Sequence, residues 1–475
     1  MSDKSDEGEE LNGLGLGYDR IDEALVLFTT KAQLRLRTDG KNFEEVSSLF
    51  YQGRSRKVRV WDESLTVGKE LSLERADLGK LLKTLVRKHK DLADQVEELQ
   101  KDLKGQPDGT LYRIPELVAS PEAIRGMFAE ARQEEKEIAD TLSRISGRLV
   151  SLRNDLYGEV VVDVEEGLPH DFKPCLVTDA SGRIRETYNI QDLYREDLIR
   201  LEPKGSVKTY TNLTVNLWKR GSGIGVYQDK EVVKSTAHEI SEVIRSRPGE
   251  DFLIIHHKSN NLDQAVLSIL NEENKARVYF LTLGKHTATN RFSNIPNVIN
   301  AGVMFYRDAA YKGLARAAST RRADCGGFEQ EKLDRIKKAE AVHHFLQAAC
   351  RGRVRKAEGS GCPESRLWVI ASPQSGLEEM IPDIFPDCTL DPWKLTLESS
   401  LKGKSKEAFD YLQELLKEGH TEIKCADIRN HLGMTASNFT RDVLKSDPFN
   451  EAVSSLGYFI DPRSRGYYIS STSMS

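Results

Sequence analysis

No stretch of this sequence approaches the ~20 consecutive apolar residues that a helix needs to span a bilayer. Its opening, Met1-Ser2-Asp3-Lys4-Ser5-Asp6-Glu7-Gly8-Glu9-Glu10, is acidic and polar and has neither region of a secretory signal. Cysteine is scarce: Cys175, Cys325, Cys350, Cys362, Cys388 and Cys425 stand apart, with no CxxC pair. That spacing speaks against a zinc site and for a reducing, cytoplasmic setting. The adjacent pairs His256-His257 and His343-His344 point different ways on a helix or strand, so neither has metal-ligand spacing. Also missing is any Gly-x4-Gly-Lys-Ser/Thr run, whose backbone amides and lysine cradle nucleotide phosphates. Gly403-Lys404-Ser405 only imitates its end, because Glu398 stands where the first glycine belongs.

What is present is a globular composition of 475 residues, 30% charged and 39% hydrophobic, long enough for two to four domains. The net charge of −5 conceals an asymmetry, since Lys275 to Arg366 holds 18 Lys and Arg against 8 Asp and Glu. A local excess of +10 is the footprint expected for a polyanion partner, and it leaves the rest of the chain near −15.

Residues 70–155 read as mostly helical. Leu81, Leu82, Leu85, Leu92, Val96 and Leu99 recur at helical spacing. A second helix begins at Ser120-Pro121-Glu122, with serine as cap and proline in the first turn, and is read through Ile138, Leu142, Ile145, Leu149 and Leu152. Two antiparallel helices or a short coiled coil is the expectation. From Val160 onward short apolar runs alternate with helical segments: Leu176-Val177-Thr178, Phe252-Leu253-Ile254-Ile255, Val278-Tyr279-Phe280-Leu281, Val298-Ile299-Asn300-Ala301 and Leu367-Trp368-Val369-Ile370. That alternation predicts an α/β fold with a parallel sheet covered on both faces, and function at the carboxyl ends of its strands. Residues 400–475 predict three helices, one capped by Thr435 and one stopped by Gly433, then a hairpin of Tyr458-Phe459-Ile460 and Tyr467-Tyr468-Ile469. This is the order of a winged helix-turn-helix. With 10 basic and 10 acidic residues, such a unit suits DNA contact or protein contact.

The stretch Gln347-Ala348-Ala349-Cys350-Arg351-Gly352-Arg353-Val354-Arg355 carries the densest chemistry. Arginine is permanently charged and its planar fork matches phosphate oxygens. On a continuing helix Gln347, Arg351 and Arg355 would share a face, and Arg353 would point away.

Taken in order, these segments resemble the superfamily 2 helicases, in particular the helicase-like proteins of prophages and mobile elements. Phe252–Lys258 is similar to the motif IV strand, Gly284–Phe292 to motif V, and Gln347–Arg355 to motif VI, with Cys350 where a glycine normally stands. Arg20-Ile21-Asp22-Glu23-Ala24-Leu25 resembles a Walker B motif, with Leu25 as its departure, and Leu176–Ser181 resembles motif III. The resemblance implies a RecA-like motor: residues 1–69 and 159–235 as a partial first domain and linker, 70–158 as a helical insertion, 236–398 as the second motor domain, and 399–475 as the winged helix. It implies ATP and Mg²⁺ as cofactors, conditional on a P-loop supplied elsewhere. Asp22 would hold the metal and Glu23 would orient the attacking water, while Arg351 and Arg355 would act on the transferring phosphoryl group. Gln347, Gly284 and Asn290 would sense nucleotide, and Thr289, Arg291 and Lys258 would touch nucleic acid, DNA before RNA. The function implied is the C-terminal part of an ATP-dependent DNA helicase or translocase, working with a P-loop-bearing partner and no membrane. The alternative is a non-enzymatic DNA-binding or adaptor protein using the basic face and the winged helix.

Overall fold

The computed structural model describes residues 20–87, 89–155, 158–201, 207–258, 261–284, 290–396, 401–456, 458–463 and 466–471. The chain forms two compact units, residues 1–199 with 306–337 and residues 200–305 with 338–475. No helix among the described residues is long and apolar enough to cross a membrane.

In the first unit, a short parallel pair joins β1 (Val60–Asp62) to a strand more than 100 residues later. Between them lies a sheet of β2 (Gly68–Glu74), β3 (Leu111–Arg113), β4 (Leu149–Asp155) and β5 (Gly158–Glu166), and β6 (Leu176–Thr178) completes the pair. The four-stranded sheet is antiparallel throughout, in the order β2-β5-β4-β3. The expected helices are there at Arg75–Leu85, Lys90–Asp102, Pro121–Met127 and Gln133–Ile145. Ser120 caps as predicted, accepting from the Ala123 amide at 3.3 Å. They do not form a coiled coil. Leu81, Leu85, Leu92, Val96, Leu99, Ile138, Leu142 and Ile145 share one core with Leu71, Val150, Leu152 and Val161 of the sheet. The predicted long second helix breaks between Met127 and Gln133, and Leu149 and Leu152 belong to β4. Leu149 and Leu152 fit a helical i, i+3 spacing, but in β4 it is Val150 and Leu152, two apart, that reach the core.

Helix Asp308–Ser319 packs on this sheet at unusually close range. A Cβ on Gly68 would stand 2.9 Å from Ala317 O, and one on Gly313 would stand 2.0 Å from the Glu70 carboxyl. The contact buries polar groups with partners, as burial demands. Lys312 donates to Ser151 Oγ at 2.7 Å, and Asp163 pairs with Arg148 at 2.7 Å while accepting from the Ala323 amide.

The second unit is built on a six-stranded, all-parallel sheet of β7 (Leu213–Lys219), β8 (Phe252–His256), β9 (Val278–Thr282), β10 (Asn297–Ala301), β11 (Ser365–Ala371) and β12 (Thr389–Pro392). The order is β12-β7-β11-β10-β8-β9. Every residue of β8 and β10 is buried, as the apolar runs predicted for strands covered on both faces. The sheet is followed by helix Gly403–Lys417, strand β13 (Glu422–Lys424), helix Cys425–His431, helix Ala436–Phe439 with a π turn over Thr440–Leu444, helix Asp447–Ser455, and the hairpin β14 (Tyr458–Arg463) and β15 (Gly466–Ser471). Thr435 caps its helix, accepting from the Asn438 amide at 3.4 Å. Beyond the predicted elements there are the Asp447–Ser455 helix and β13, which pairs with β15 in an antiparallel sheet of order β13-β15-β14.

Candidate nucleotide and nucleic-acid site

The first unit places Asp22 and Glu23 in an exposed turn, and no strand leads into them among the described residues from Arg20 onward. Glu23 is engaged by Arg20, which donates from Nε at 2.9 Å. An acidic pair that works on bound phosphate has to close a buried parallel strand, so that the sheet aims it. Another acidic pair closes a short parallel strand, β1, of which only Trp61 is buried. Asp62 ends β1, and Glu63 follows it. The neighbouring parallel strand β6 fixes both: Thr178 Oγ1 donates to Asp62 Oδ1 at 3.0 Å, and the Glu63 amide donates to Thr178 O at 2.8 Å. Glu63 takes a φ of +65°, a left-handed conformation that a non-glycine residue keeps only where its surroundings hold it.

The loop after β6 is tied into the same corner. Asp179 Oδ1 accepts from the Ser181 amide at 2.8 Å and from Ser181 Oγ at 2.6 Å, while Oδ2 accepts from Tyr188 Oη at 2.9 Å. Tyr188 Oη in turn accepts from the Leu65 amide at 3.2 Å, linking the segment after β1 to the segment after β6. Burial, then the adjacent Asp179, holds the Tyr188 hydroxyl protonated well beyond the ordinary tyrosine range. Lys31 reaches the corner from helix Lys31–Arg37, whose cap Thr30 accepts from the Gln33 amide at 3.1 Å. Its Nζ donates to Ser64 O at 3.0 Å and lies 5.3 Å from the Trp61 ring centroid. Burial lowers the Lys31 pKa, and Glu63 and Asp179 oppose that shift. The sequence signal for this corner was Val58-Arg59-Val60-Trp61-Asp62-Glu63, an alternating apolar run ending in two acids.

In the second unit the arginine stretch is not a helix. The helix Gln330–Ala349 ends before Arg351, and Arg353–Arg355 form a single 3₁₀ turn. Helical spacing therefore aligns only Gln347 and Arg351 on one face. Arg351 donates from Nη2 to Gln347 Oε1 at 3.0 Å and from Nε to Gln347 O at 3.1 Å, and it is buried. Arg355 is exposed and donates to Asn290 Oδ1. Arg353 is laced to the same segment, its amide donating to Ile295 O at 2.7 Å and its Nε to Asn294 O at 3.0 Å. Gly352 makes the approach feasible, since a Cβ there would stand 2.4 Å from Val298 Cγ2. Cys350, where the family pattern has glycine, has its thiol pushed up to about 11 by burial.

Gln347 is thus paired with Arg351, and Asn290 with Arg355, and the arginine turn packs near the amino end of β10 rather than the carboxyl ends that the sheet rule favours. Lys258 and Gly284 lie apart from them, two residues beyond the carboxyl ends of the paired strands β8 and β9. Gly284 takes a φ of +89°, and the Leu283 amide donates to His256 O at 2.8 Å. Arg291 is exposed, with its guanidinium 5.7 Å from the Phe292 ring. Thr289 lies outside the described residues.

No family model matches the chain, and no curated protein matches it. Among solved structures it is similar to one titled "XPD_APO", at 13% identity and TM-score 0.39, over 70% of this chain and 76% of that one. A second, titled "XPD_Helicase", is similar at 12% identity and TM-score 0.30, over 71% of this chain and 70% of that one.

Proposed function

We propose that the chain is a helicase-family nucleic-acid-binding protein, the C-terminal part of an ATP-dependent DNA helicase or translocase whose P-loop comes from outside these 475 residues. The observation that carries this reading is Asp62-Glu63 at the carboxyl end of β1, with Asp62 held by Thr178 of the parallel neighbour β6. In a phosphoryl-transfer site Asp62 would hold Mg²⁺ and Glu63 would orient the attacking water. These residues fit the acidic half of an ATP-Mg²⁺ site. The phosphate cradle has no counterpart in the sequence, so the fit stops there. Val60 and Leu176 of the β1–β6 pair stay 57% and 49% exposed, and Val58 just before it 83%. Parallel strands are normally covered on both faces, and a P-loop-bearing segment would supply the missing strands. Arg351 and Arg355 are read as phosphate-directed groups, Gln347, Gly284 and Asn290 as nucleotide-sensing, and Lys258, Thr289 and Arg291 as the nucleic-acid contacts. The arrangement Gly403 to Ser471 is read as a winged helix, since its sheet order β13-β15-β14 leaves a terminal hairpin as wing.

The experiment is DNA-stimulated ATP hydrolysis, with this chain alone and with a P-loop-bearing polypeptide supplied. Negligible turnover alone and DNA-dependent turnover when joined is the expected result. Turnover by the chain alone in the ~1–100 s⁻¹ range of working phosphoryl-transfer enzymes would sink the reading. Nucleic-acid binding without hydrolysis in both arrangements would establish the adaptor reading.

A further inference from the structure

The C-terminal part of the second unit contains a half-open cavity of about 370 Å³, lined by Thr440, Leu444, Lys445, Asn450, Phe459, Ile460 and Tyr467. One wall comes from an irregularity in the backbone. The helix that starts at Ala436 widens over Thr440–Leu444 into a π turn, closed by the Lys445 amide donating to Thr440 O at 3.0 Å. Such turns are rare, and they gather at functional sites because an evenly wound helix is the more stable arrangement. The turn is braced from the next helix by Asn450, whose Nδ2 donates to Leu444 O at 3.1 Å. The other wall carries two aromatic rings on the β14–β15 hairpin, Phe459 at 42% and Tyr467 at 46% exposure, although the apolar core of this region lies within reach. Lys445 stands exposed at the rim.

We propose that this cavity is a stacking pocket for one unpaired base of single-stranded nucleic acid. Its volume lies at the small end of ligand sites and suits a single planar ring system. Half-exposed Phe and Tyr give sequence-independent stacking, the usual means of holding single strands. Lys445 at the rim meets the adjoining phosphate, and the Asn450 carboxamide oxygen and the Thr440 hydroxyl offer partners to a base edge. The charge balance points the same way. With 10 basic and 10 acidic residues from 400 to 475, this region has no net charge to release counterions from a long duplex, whereas stacking needs none. The pocket is independent of the Asp62-Glu63 corner and of the P-loop, and it adds a single-strand contact to the nucleic-acid contacts read at Lys258 and Arg291.

The test is anisotropy with the full chain and a labelled oligothymidylate, beside a blunt duplex whose bases are hidden. Phe459→Ala and Tyr467→Ala should each weaken single-strand binding by about tenfold, with duplex affinity and the salt dependence of binding unchanged. Phe459→Trp should restore the single-strand affinity, a recovery that a purely structural role would not give. Melting curves confirm that the variants fold, as expected for half-exposed positions. Two outcomes overturn the pocket: both folded alanine variants bind single strands as tightly as the parent, or they lose single-strand and duplex affinity alike. Absence of single-strand binding by the parent chain overturns it as well, while the motor reading stands or falls separately on ATP turnover. If an apolar peptide and not the oligonucleotide binds the pocket, the site is a protein contact and the proposal is wrong.

Discussion

Glu70 gives a prediction whose sign and size follow from packing alone. It lies on β2 beneath helix Asp308–Ser319, with its carboxyl in the space that Gly313 leaves empty. Burial alone raises it from the ordinary 4.5 to about 7. The neighbouring Lys312 is turned to Ser151 Oγ instead. Between these two values the unfolded chain has lost this proton and the folded chain keeps it. Stability therefore falls as pH rises from about 4.5 toward 7, and levels off above. At ~1.4 kcal/mol for each pH unit, the loss amounts to about 3 kcal/mol at most. Glu70→Gln keeps the shape of the protonated side chain and removes the titration. Denaturant unfolding of parent and variant at pH 5 and pH 8 isolates the term, because all other groups cancel in the difference. The variant should match the parent at pH 5 and exceed it by about 2–3 kcal/mol at pH 8. Parallel pH curves for the two proteins would refute the burial argument.

Three further outcomes are expected. Gly352→Ala should lower stability by about 1–3 kcal/mol, read as a drop in Tm, because its Cβ would meet Val298 Cγ2 at 2.4 Å. A Tm equal to the parent's would show that the arginine turn is not packed as described. Arg291→Ala should weaken nucleic-acid binding uniformly across sequences and lower the slope of log K against log salt by about one, with an unchanged slope excluding Arg291 from the contact. With a P-loop supplied, Arg351→Ala should abolish ATP hydrolysis and spare nucleic-acid binding, whereas Arg353→Ala should act mainly on stability, since it loses the Nε bond to Asn294 O. Equal loss of turnover in both folded variants would contradict the separation of their roles.

The parallel sheet of the second unit was legible because β8 and β11 carry continuous apolar runs, and β10 one interrupted only by Asn300, a pattern that a buried strand imposes on its own sequence. The caps at Ser120 and Thr435 were legible for the same reason: a single side chain meets a local backbone need. What escaped depends on long-range pairing. β1 is three residues long and is defined by its pairing with β6 over 100 positions away, so its acidic pair was harder to see than the four-letter match at Asp22-Glu23. The four-stranded sheet likewise joins Gly68–Glu74 to Gly158–Glu166, and helical leucines between them dominated the pattern. The arginine stretch was read as helix because Gln347, Arg351 and Arg355 keep an i, i+4 spacing across Gly352. The turn is set by Gly352 packing on Val298 and by the Arg353 amide bonding Ile295 O, both partners more than 50 residues away.

Asp62-Glu63, rather than Asp22-Glu23, is proposed as the acidic pair of a phosphoryl-transfer site. ATP turnover of the chain joined to a P-loop-bearing polypeptide tests it directly, by comparing Glu63→Gln with Glu23→Gln. Turnover should fall ~10²-fold or more in Glu63→Gln, the usual scale for a positioned acid–base group, and stay parent-like in Glu23→Gln. Loss of turnover in Glu23→Gln with Glu63→Gln fully active would contradict it.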